Sequence, residues 1–199
     1  STIADMSGNP VVPILAGSGK PASSFVDDST RPRVRRFELN MTSELLTLHF
    51  KETVNVSSLD VTAITLQAFD SDRAGRQHTL RGGSAGFGAV DDVTVVIQLT
   101  WYDLNELKRK VIGRAAHSTY LVVSPNMIAD QNGNPVVPLT SGLTAQLVDV
   151  YFADLTPPEL WEFDLNMTSE ILTLRFSETV NADISIDQIT IQGSASYQP

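Results

Sequence analysis

The chain has 199 residues, of which 42% are hydrophobic and 19% are charged, so it has enough apolar material for a core and enough length for one or two domains. Its formal net charge of −9 argues against a general nucleic-acid-binding role, which requires cationic side chains facing phosphates. Cysteine is absent, which excludes disulfide bridges, thiolate zinc sites and thiol catalysis.

Strand-forming segments separated by turns dominate the first half of the chain. A first, edge-type strand is predicted over residues 34–39, after the Arg-Pro pair that limits the preceding backbone. A polar turn at 40–43 leads to a strand with partial alternation at 45–50, and a further strand is predicted over 61–68. The stretch 81–92 is rich in glycine and predicts a flexible loop, because it lacks the Lys-Ser/Thr ending of a phosphate-binding loop.

One short helix is predicted after a strong strand at 93–99. Its apolar residues recur at helical spacing and are Trp101, Leu104, Leu107 and Val111. Thr100 followed by Asp103 indicates a capping box, and Gly113 is expected to close the helix. We interpret the Trp and Leu stripe as core packing.

Further strands are predicted at 119–123 and from Val136 onward. Between them, Asn132-Gly133 has the composition of a tight hairpin turn, because both residues tolerate positive φ. Roughly seven short strands and one short helix in about 126 residues fit an all-β fold of the immunoglobulin-like β-sandwich type.

Two blocks of sequence occur twice. FELNMTSELLTLHFKETVN at 37–55 and FDLNMTSEILTLRFSETVN at 163–181 share 15 of 19 positions, with an offset of 126. IADMSGNPVVP at 3–13 and IADQNGNPVVP at 128–138 share nine of 11 positions, with an offset of 125. Two matches with nearly the same offset indicate an internal repeat in which one residue was gained or lost between the blocks.

The order of these blocks predicts the domain organisation. Residues 32–157 are predicted to be one complete repeat, 1–31 the last strands of a preceding repeat and 158–199 the first strands of a following one. A lone hairpin is marginally stable in water, so we expect the polypeptide to continue in both directions. Two prolines in the linker 154–158 predict a semi-rigid connection.

The strand endings FKETVN and FSETVN, the segment ITLQ and the IADxxGNPVVP hairpin resemble bacterial Ig-like and cadherin-like tandem repeats. Such repeats occur in surface-layer proteins, large adhesins and surface proteins of protists. The resemblance implies tandem immunoglobulin-like β-sandwiches in an extracellular or cell-surface setting. Some relatives bind calcium between domains through Asp-rich motifs. Here Asp27-Asp28 at one junction becomes Ala153-Asp154 at the other, so no cofactor is expected, with calcium as the alternative.

Three Asn residues match the N-glycosylation acceptor pattern: Asn40, Asn55 and Asn166. Asn40 and Asn166 occupy the same turn of successive repeats, where a glycan could fit on the surface. The alternative is that Asn, Ser and Thr stand there only because they form turns well.

Acidic residues at the recurring positions are the remaining site candidates. Asp5 and Asp130, at the start of the Gly-Asn hairpin, could hold a cation, although an Asp in this position more often binds the backbone amides of its own turn. Glu52 and Glu178 recur without a predicted neighbouring acid or His, which favours a solvated surface.

Nothing in the sequence predicts an enzyme. The three His residues are scattered, and His49 is replaced by Arg175 in the next repeat, a change that a catalytic base or metal ligand tolerates badly. No elbow motif supports a Ser-His-Asp triad.

These features predict a structural segment of a long extracellular protein, in particular a filament or surface-fibre component. The expected partners are neighbouring repeats of the chain and other copies of the protein, with no nucleic acid and no membrane span in this segment. One alternative is the stalk of a cell-surface adhesin. Another is an accessory repeat of a carbohydrate-binding protein, which would need an exposed aromatic platform although aromatics are only 7% of the chain.

Overall fold

The computed structural model describes residues 3–73, 75–85, 92–181 and 183–193, and over these ranges the chain is predominantly β with one α-helix. The strands are β1 (Val34–Asn40), β2 (Leu45–Val54), β3 (Ile64–Gln67), β4 (Gln77–Thr79), β5 (Ser84–Ala85), β6 (Asp92–Gln98), β7 (Tyr120–Val123), β8 (Gln146–Leu147), β9 (Val150–Phe152), β10 (Leu160–Asn166) and β11 (Ile171–Phe176). The helix α1 spans Trp101–Arg109. Short 3₁₀ turns lie at Val56–Ser58, Val61–Ala63, Ala116–Ser118, Pro125–Met127 and Ile186–Gln188.

The strands form three sheets. A five-stranded sheet has the order β5-β6-β2-β1-β9, a four-stranded sheet has the order β4-β3-β7-β8, and β10 pairs only with β11. All pairings are antiparallel except that of β1 with β9. The expectation that β1 is an edge strand is wrong, because β9 returns from the far end of the repeat and pairs with residues 38–40.

One buried cluster joins the two larger sheets and α1. In β2 the buried residues Leu46, Leu48 and Phe50 alternate with half-buried ones, as period-2 geometry requires of a strand with one face inward. Ile64 and Leu66 contribute from the other sheet. Burying each such side chain contributes about 1.5–3 kcal/mol, so this cluster is the main source of stability in residues 34–152.

Helix α1 begins at the predicted cap but ends differently from expectation. The Thr100 hydroxyl accepts from Asp103 N at 3.1 Å. At the other end Val111, with φ 57°, takes the left-handed position, and the Val111 and Ile112 amides donate to the Lys108 and Leu107 carbonyls. This is a Schellman cap. The prediction that Gly113 closes α1 is therefore wrong.

The sequence repeat is reproduced in backbone geometry. β10 and β11 pair in the same register as β1 and β2 shifted by 126 residues, including the same irregularity near the start of the first strand. Glu44 and Glu170 occupy the equivalent turn position, with φ values of 62° and 57°. Both are left-handed, a conformation uncommon for residues other than Gly and Asn. Identical local sequence thus produces the same strained turn twice.

The Gly-Asn hairpin is also formed twice. Isolated bridges join Ala4 to Pro10 and Ala129 to Pro135. Gly8 and Gly133 have φ values of 85° and 83°. The glycine supplies the positive φ in each turn, whereas Asn132 does not adopt it.

The two flanking segments expose the side chains that the central repeat buries. Phe163 and Leu165 are 56% and 44% exposed, whereas Phe37 and Leu39 are fully buried. At the other end Val11 is 57% exposed, whereas Val136 is fully buried. Each flanking segment therefore has the local structure of the equivalent part of the central segment, with its apolar side chains exposed.

Other sequence predictions need correction. The strand expected over 61–68 is confined to β3, because 61–63 form a 3₁₀ turn. Within 81–92 the short strand β5 appears, while residues 86–91 lie outside the described part of the chain. In the described part of the chain no strand begins at Val136, and β8 and β9 close the repeat instead. Nine strands, rather than about seven, lie between residues 34 and 152 of the described chain.

In the described ranges, no helix has the length and apolarity needed to cross a membrane.

Candidate functional site

The residues that join the central repeat to the following hairpin form a polar site of ion pairs and hydrogen bonds. We call it the junction, and it comprises Trp101, Asn105 and Lys108 of α1, Asp154 of the linker and residues 177–179 after β11. A cleft lies here, lined on one side by α1 and the chain after it and on the other by the linker and residues 178–181.

One face of α1 makes the contacts. Trp101, Asn105 and Lys108 lie four and three residues apart, so they project from the same side of the helix. The Trp101 indole Nε1 donates to the Ser177 carbonyl at 2.9 Å. Thr179 N donates to Asn105 Oδ1 at 2.7 Å, and the Thr179 hydroxyl contacts the same oxygen at 2.9 Å. The helix thus recognises the backbone of the next segment as well as its side chains.

Lys108 lies between two carboxylates at the centre of the junction. Its Nζ donates to Asp154 Oδ2 at 2.7 Å and to Glu178 Oε2. The Lys108 side chain is only 14% exposed and that of Glu178 12%. Burial lowers the pKa of Lys108, but the two carboxylates outweigh it and hold that pKa above its ordinary value. Burial raises the pKa of Asp154, and hydrogen bonds led by Lys108 bring it below its ordinary value. Lys108 and Asp154 are therefore both charged at neutral pH.

The linker is held by further hydrogen bonds. Asp154 Oδ1 accepts from Thr156 N at 3.1 Å. The Thr42 hydroxyl donates to the Ala153 carbonyl at 2.8 Å and accepts from Leu155 N at 3.2 Å. These contacts, together with the two prolines, restrict the backbone of the linker on both sides of Asp154.

Asp5 and Asp130 bind the backbone of their own turns. Asp5 Oδ1 accepts from Ser7 N and Asn9 N, at 3.0 and 2.8 Å. Asp130 accepts from Asn134 N and Nδ2, both at 2.8 Å. The Asn9 side chain and turn amides lower the pKa of Asp5. Burial raises the pKa of Asp130, but the hydrogen bonds that its carboxylate accepts within the turn outweigh burial and lower this pKa overall. Nowhere in the described chain do three His, Asp or Glu residues cluster as metal ligands.

The two equivalent glycosylation candidates lie in identical turns. Asn40 Oδ1 accepts from Thr42 N and Ser43 N, at 3.0 and 2.9 Å, and Asn166 Oδ1 accepts from the amides of residues 168 and 169 at 3.0 Å. Asn55 Oδ1 accepts from Ser57 N at 3.0 Å. In each case the side-chain Oδ1 accepts hydrogen bonds from the backbone of the turn. A glycan would be attached to Nδ2, the other atom of the side-chain amide.

The His residues are structurally separate. His49 Nε2 contacts Glu38 Oε1 at 2.9 Å on the sheet surface, and His117 is exposed. His78 Nε2 contacts Asp103 Oδ1 at 2.7 Å in a fully buried position, where Asp103 also accepts from Arg81 N. This pair connects β4 to the first turn of α1, so its place in the structure is that of a buried polar connection between elements.

Sequence reasoning missed the junction for specific reasons. The prediction that the Trp101 ring belongs to the core is wrong, because the ring is 56% exposed and donates across the junction. The prediction that Glu178 is solvated is also wrong, because Glu178 pairs with Lys108. The available signal was the combination of Trp, Asn and Lys at positions i, i+4 and i+7 of a helix, which places them on one face beside the stripe that carries the leucines.

Comparison of the chain with protein-family models, with curated proteins and with solved structures finds no match.

Proposed function

We propose that this chain is a segment of an elongated extracellular structural protein, in which immunoglobulin-like β-sandwich repeats follow one another end to end as a filament or surface fibre. The observation that carries the proposal is the junction. A freely mobile repeat would need only a flexible linker. Here a helix, a linker carboxylate and the next hairpin hold one another through an ion-pair triad and three further hydrogen bonds.

The sheet arrangement supports the sandwich part of the proposal. A five-stranded and a four-stranded sheet share one buried cluster, and the first strand pairs in parallel with the last. Two sheets that cover one another in this way are the usual solution for antiparallel sheets with one apolar face each.

The exposed apolar faces of the flanking segments support the tandem part. Phe163 and Leu165 occupy positions that are fully buried in the central repeat. Leaving such side chains in water forfeits about 1.5–3 kcal/mol each. The remaining strands of the flanking repeats would cover them.

The experiment is small-angle X-ray scattering and electron microscopy of recombinant arrays containing one, two and three copies of residues 32–157 between the native flanks. A stiff array predicts a maximum dimension that grows by the same increment with each copy. An increment that shrinks with copy number, as for a flexible chain, would contradict the proposal. In native material, regular filaments support the fibre, whereas beaded strands that end in a distinct head would identify an adhesin stalk.

A further inference from the structure

We infer that Asp28 and Glu52 are the receiving half of a second junction, which binds the α1-type helix of another repeat through a lysine at the Lys108 position. The inference rests on the proposed function, because its occupant is a neighbouring repeat of this type. It adds the residues that hold consecutive repeats together and the direction in which they join.

The charged groups of the observed junction have equivalents at the start of the central repeat. An offset of 126 relates Asp154 to Asp28 and Glu178 to Glu52. The two later carboxylates bind a lysine from the preceding helix. Each aspartate stands six residues before the first strand of its pair, and each glutamate stands two residues after the last residue of a shared register, Phe50 in β1–β2 and Phe176 in β10–β11.

The uncharged contacts also have equivalents. Thr179 corresponds to Thr53 and Ser177 to Lys51. The Ser-to-Lys difference does not remove the acceptor, because Trp101 binds the backbone carbonyl of Ser177. That backbone is positioned alike in both places: Lys51 N donates to the Arg33 carbonyl at 3.0 Å, and Ser177 N donates to the Glu159 carbonyl at 2.8 Å.

Glu52 has the environment of a carboxylate whose cation is supplied from elsewhere. Its Oε1 is buried without a hydrogen-bond partner, and no ion pair joins it to a Lys or Arg of the described residues. Burial, followed by the charges of Asp28 and Asp130, raises its pKa. Glu178 also leaves Oε1 without a partner, but its Oε2 binds Lys108. An ammonium group beside Glu52 would offset both the burial and the repulsion.

The identity of the bound group follows from comparing Asp28 and Glu52 with Asp154 and Glu178, and not from the negative charge of the site alone. The equivalent carboxylates bind a helix lysine in this same chain, 126 residues later. The helix of the central repeat already serves that later junction, so the earlier one requires the helix of a different repeat. Consecutive repeats therefore join in one direction, from the helix of one to the first hairpin of the next.

The test uses an extended chain in which residues 1–153 are followed directly by residues 28–199, so that Asp28 and Glu52 of the second repeat come after α1 of the first. A zero-length carbodiimide cross-linker joins amines to carboxylates in contact, and mass spectrometry identifies the linked peptides. We expect a link between Lys108 of the first repeat and Glu52 of the second. Glu52→Gln in the second repeat should abolish it, whereas Glu52→Gln in the first repeat should leave it intact.

Two internal controls accompany the measurement. The Lys108–Glu178 link should form at the end of the extended chain and in the 199-residue chain, and Lys110 should link to neither glutamate. If the Lys108–Glu178 link forms but the Lys108–Glu52 link does not, the inference is wrong. Scattering on the same sample separates this failure from that of the proposed function: an elongated particle without the link overturns only the inference, whereas repeats that are flexibly connected and unlinked overturn both.

Discussion

Lys108 and Glu178 are 70 residues apart in the sequence, yet the ammonium group of the first donates to the carboxylate of the second. The lysine lies on the face of α1 that is turned toward the linker, and the glutamate lies just after β11, in the hairpin that follows the linker. Neither residue contributes to the buried cluster of the central repeat. Their pairing therefore holds α1 against the segment that follows β11 and lies outside that cluster.

Removing the lysine should loosen the hairpin that it holds. Lys108→Met leaves Asp154 and Glu178 facing each other without a cation, at a cost of about 1–3 kcal/mol, between the values for exposed and fully buried pairs. Amide hydrogen exchange in β10 and β11 should accelerate by roughly tenfold or more. Arg109→Met is the matched control, because among the described residues Arg109 pairs with Glu106 on its own helix, and its side chain is 59% exposed. Equal acceleration in both variants would show that the effect comes from α1 itself.

Val111 offers a stabilising substitution. Its φ of 57° is left-handed, which costs a residue with a Cβ about 1–2 kcal/mol. Val111→Gly should raise stability by about 0.5–1 kcal/mol after the loss of its partly buried side chain, or Tm by roughly 1–4 °C. Val111→Ala retains the Cβ and should not gain. Thermal unfolding followed by calorimetry measures both. A Val111→Gly variant that melts below the Ala variant would contradict the account of the cap.

Glu52→Gln should stabilise the 199-residue chain at neutral pH. The pKa of Glu52 is raised in the fold, so the folded state binds a proton more readily than the unfolded state does, and stability falls as pH rises from the unfolded pKa of about 4.3 through the folded value. Gln carries no charge and avoids this loss. Urea unfolding at pH 7 should show the gain, and at pH 3.5 it should vanish because Glu52 itself is then protonated. A gain that is equal at both pH values would rule out the electrostatic cause.

The Asn40 turn can be separated from its glycan. Asn40→Asp keeps the oxygen that accepts from Thr42 N and Ser43 N but removes the acceptor for glycosylation, whereas Asn40→Ala removes both. Expressed in a eukaryotic secretory host, the parent chain should carry glycan at Asn40 and Asn166 by peptide mass spectrometry. Expressed in bacteria, the Asp variant should keep the stability of the parent and the Ala variant should lose about 1 kcal/mol. If Asn40 is unmodified in the secreted protein, its role is limited to forming the turn.

Part of the fold was predictable because local patterns encode it. The alternation of Leu46, Leu48 and Phe50 indicated a strand with one buried face, and Thr100 with Asp103 indicated where α1 begins. The end of α1 was not predictable. Gly113 matches the pattern of a helix terminator, but its positive φ serves a position where a Cβ would come within 3.1 Å of Leu39 and 3.3 Å of Met41, and the chain has already left the helix at Val111.

The candidate site shows the same division. The recurrence of Glu52 and Glu178 was visible, but their environment was not. A glutamate after a strand has the same local sequence whether it is solvated or paired with a helix lysine 70 residues away. The spacing of Trp101 matches that of the leucines and predicts a place in the core, and only packing shows that the ring lies at the exposed edge of their stripe.

By itself, the sequence determined that the chain is β-rich and repetitive with a period of about 126 residues, because strand alternation, turn chemistry and duplicated blocks are properties of neighbouring residues. The tertiary structure alone decided that β9 pairs with β1, that Val111 ends α1 and that Lys108 lies between Asp154 and Glu178. These contacts join residues far apart in the chain, and their free energies depend on burial and distance, which the order of residues does not specify.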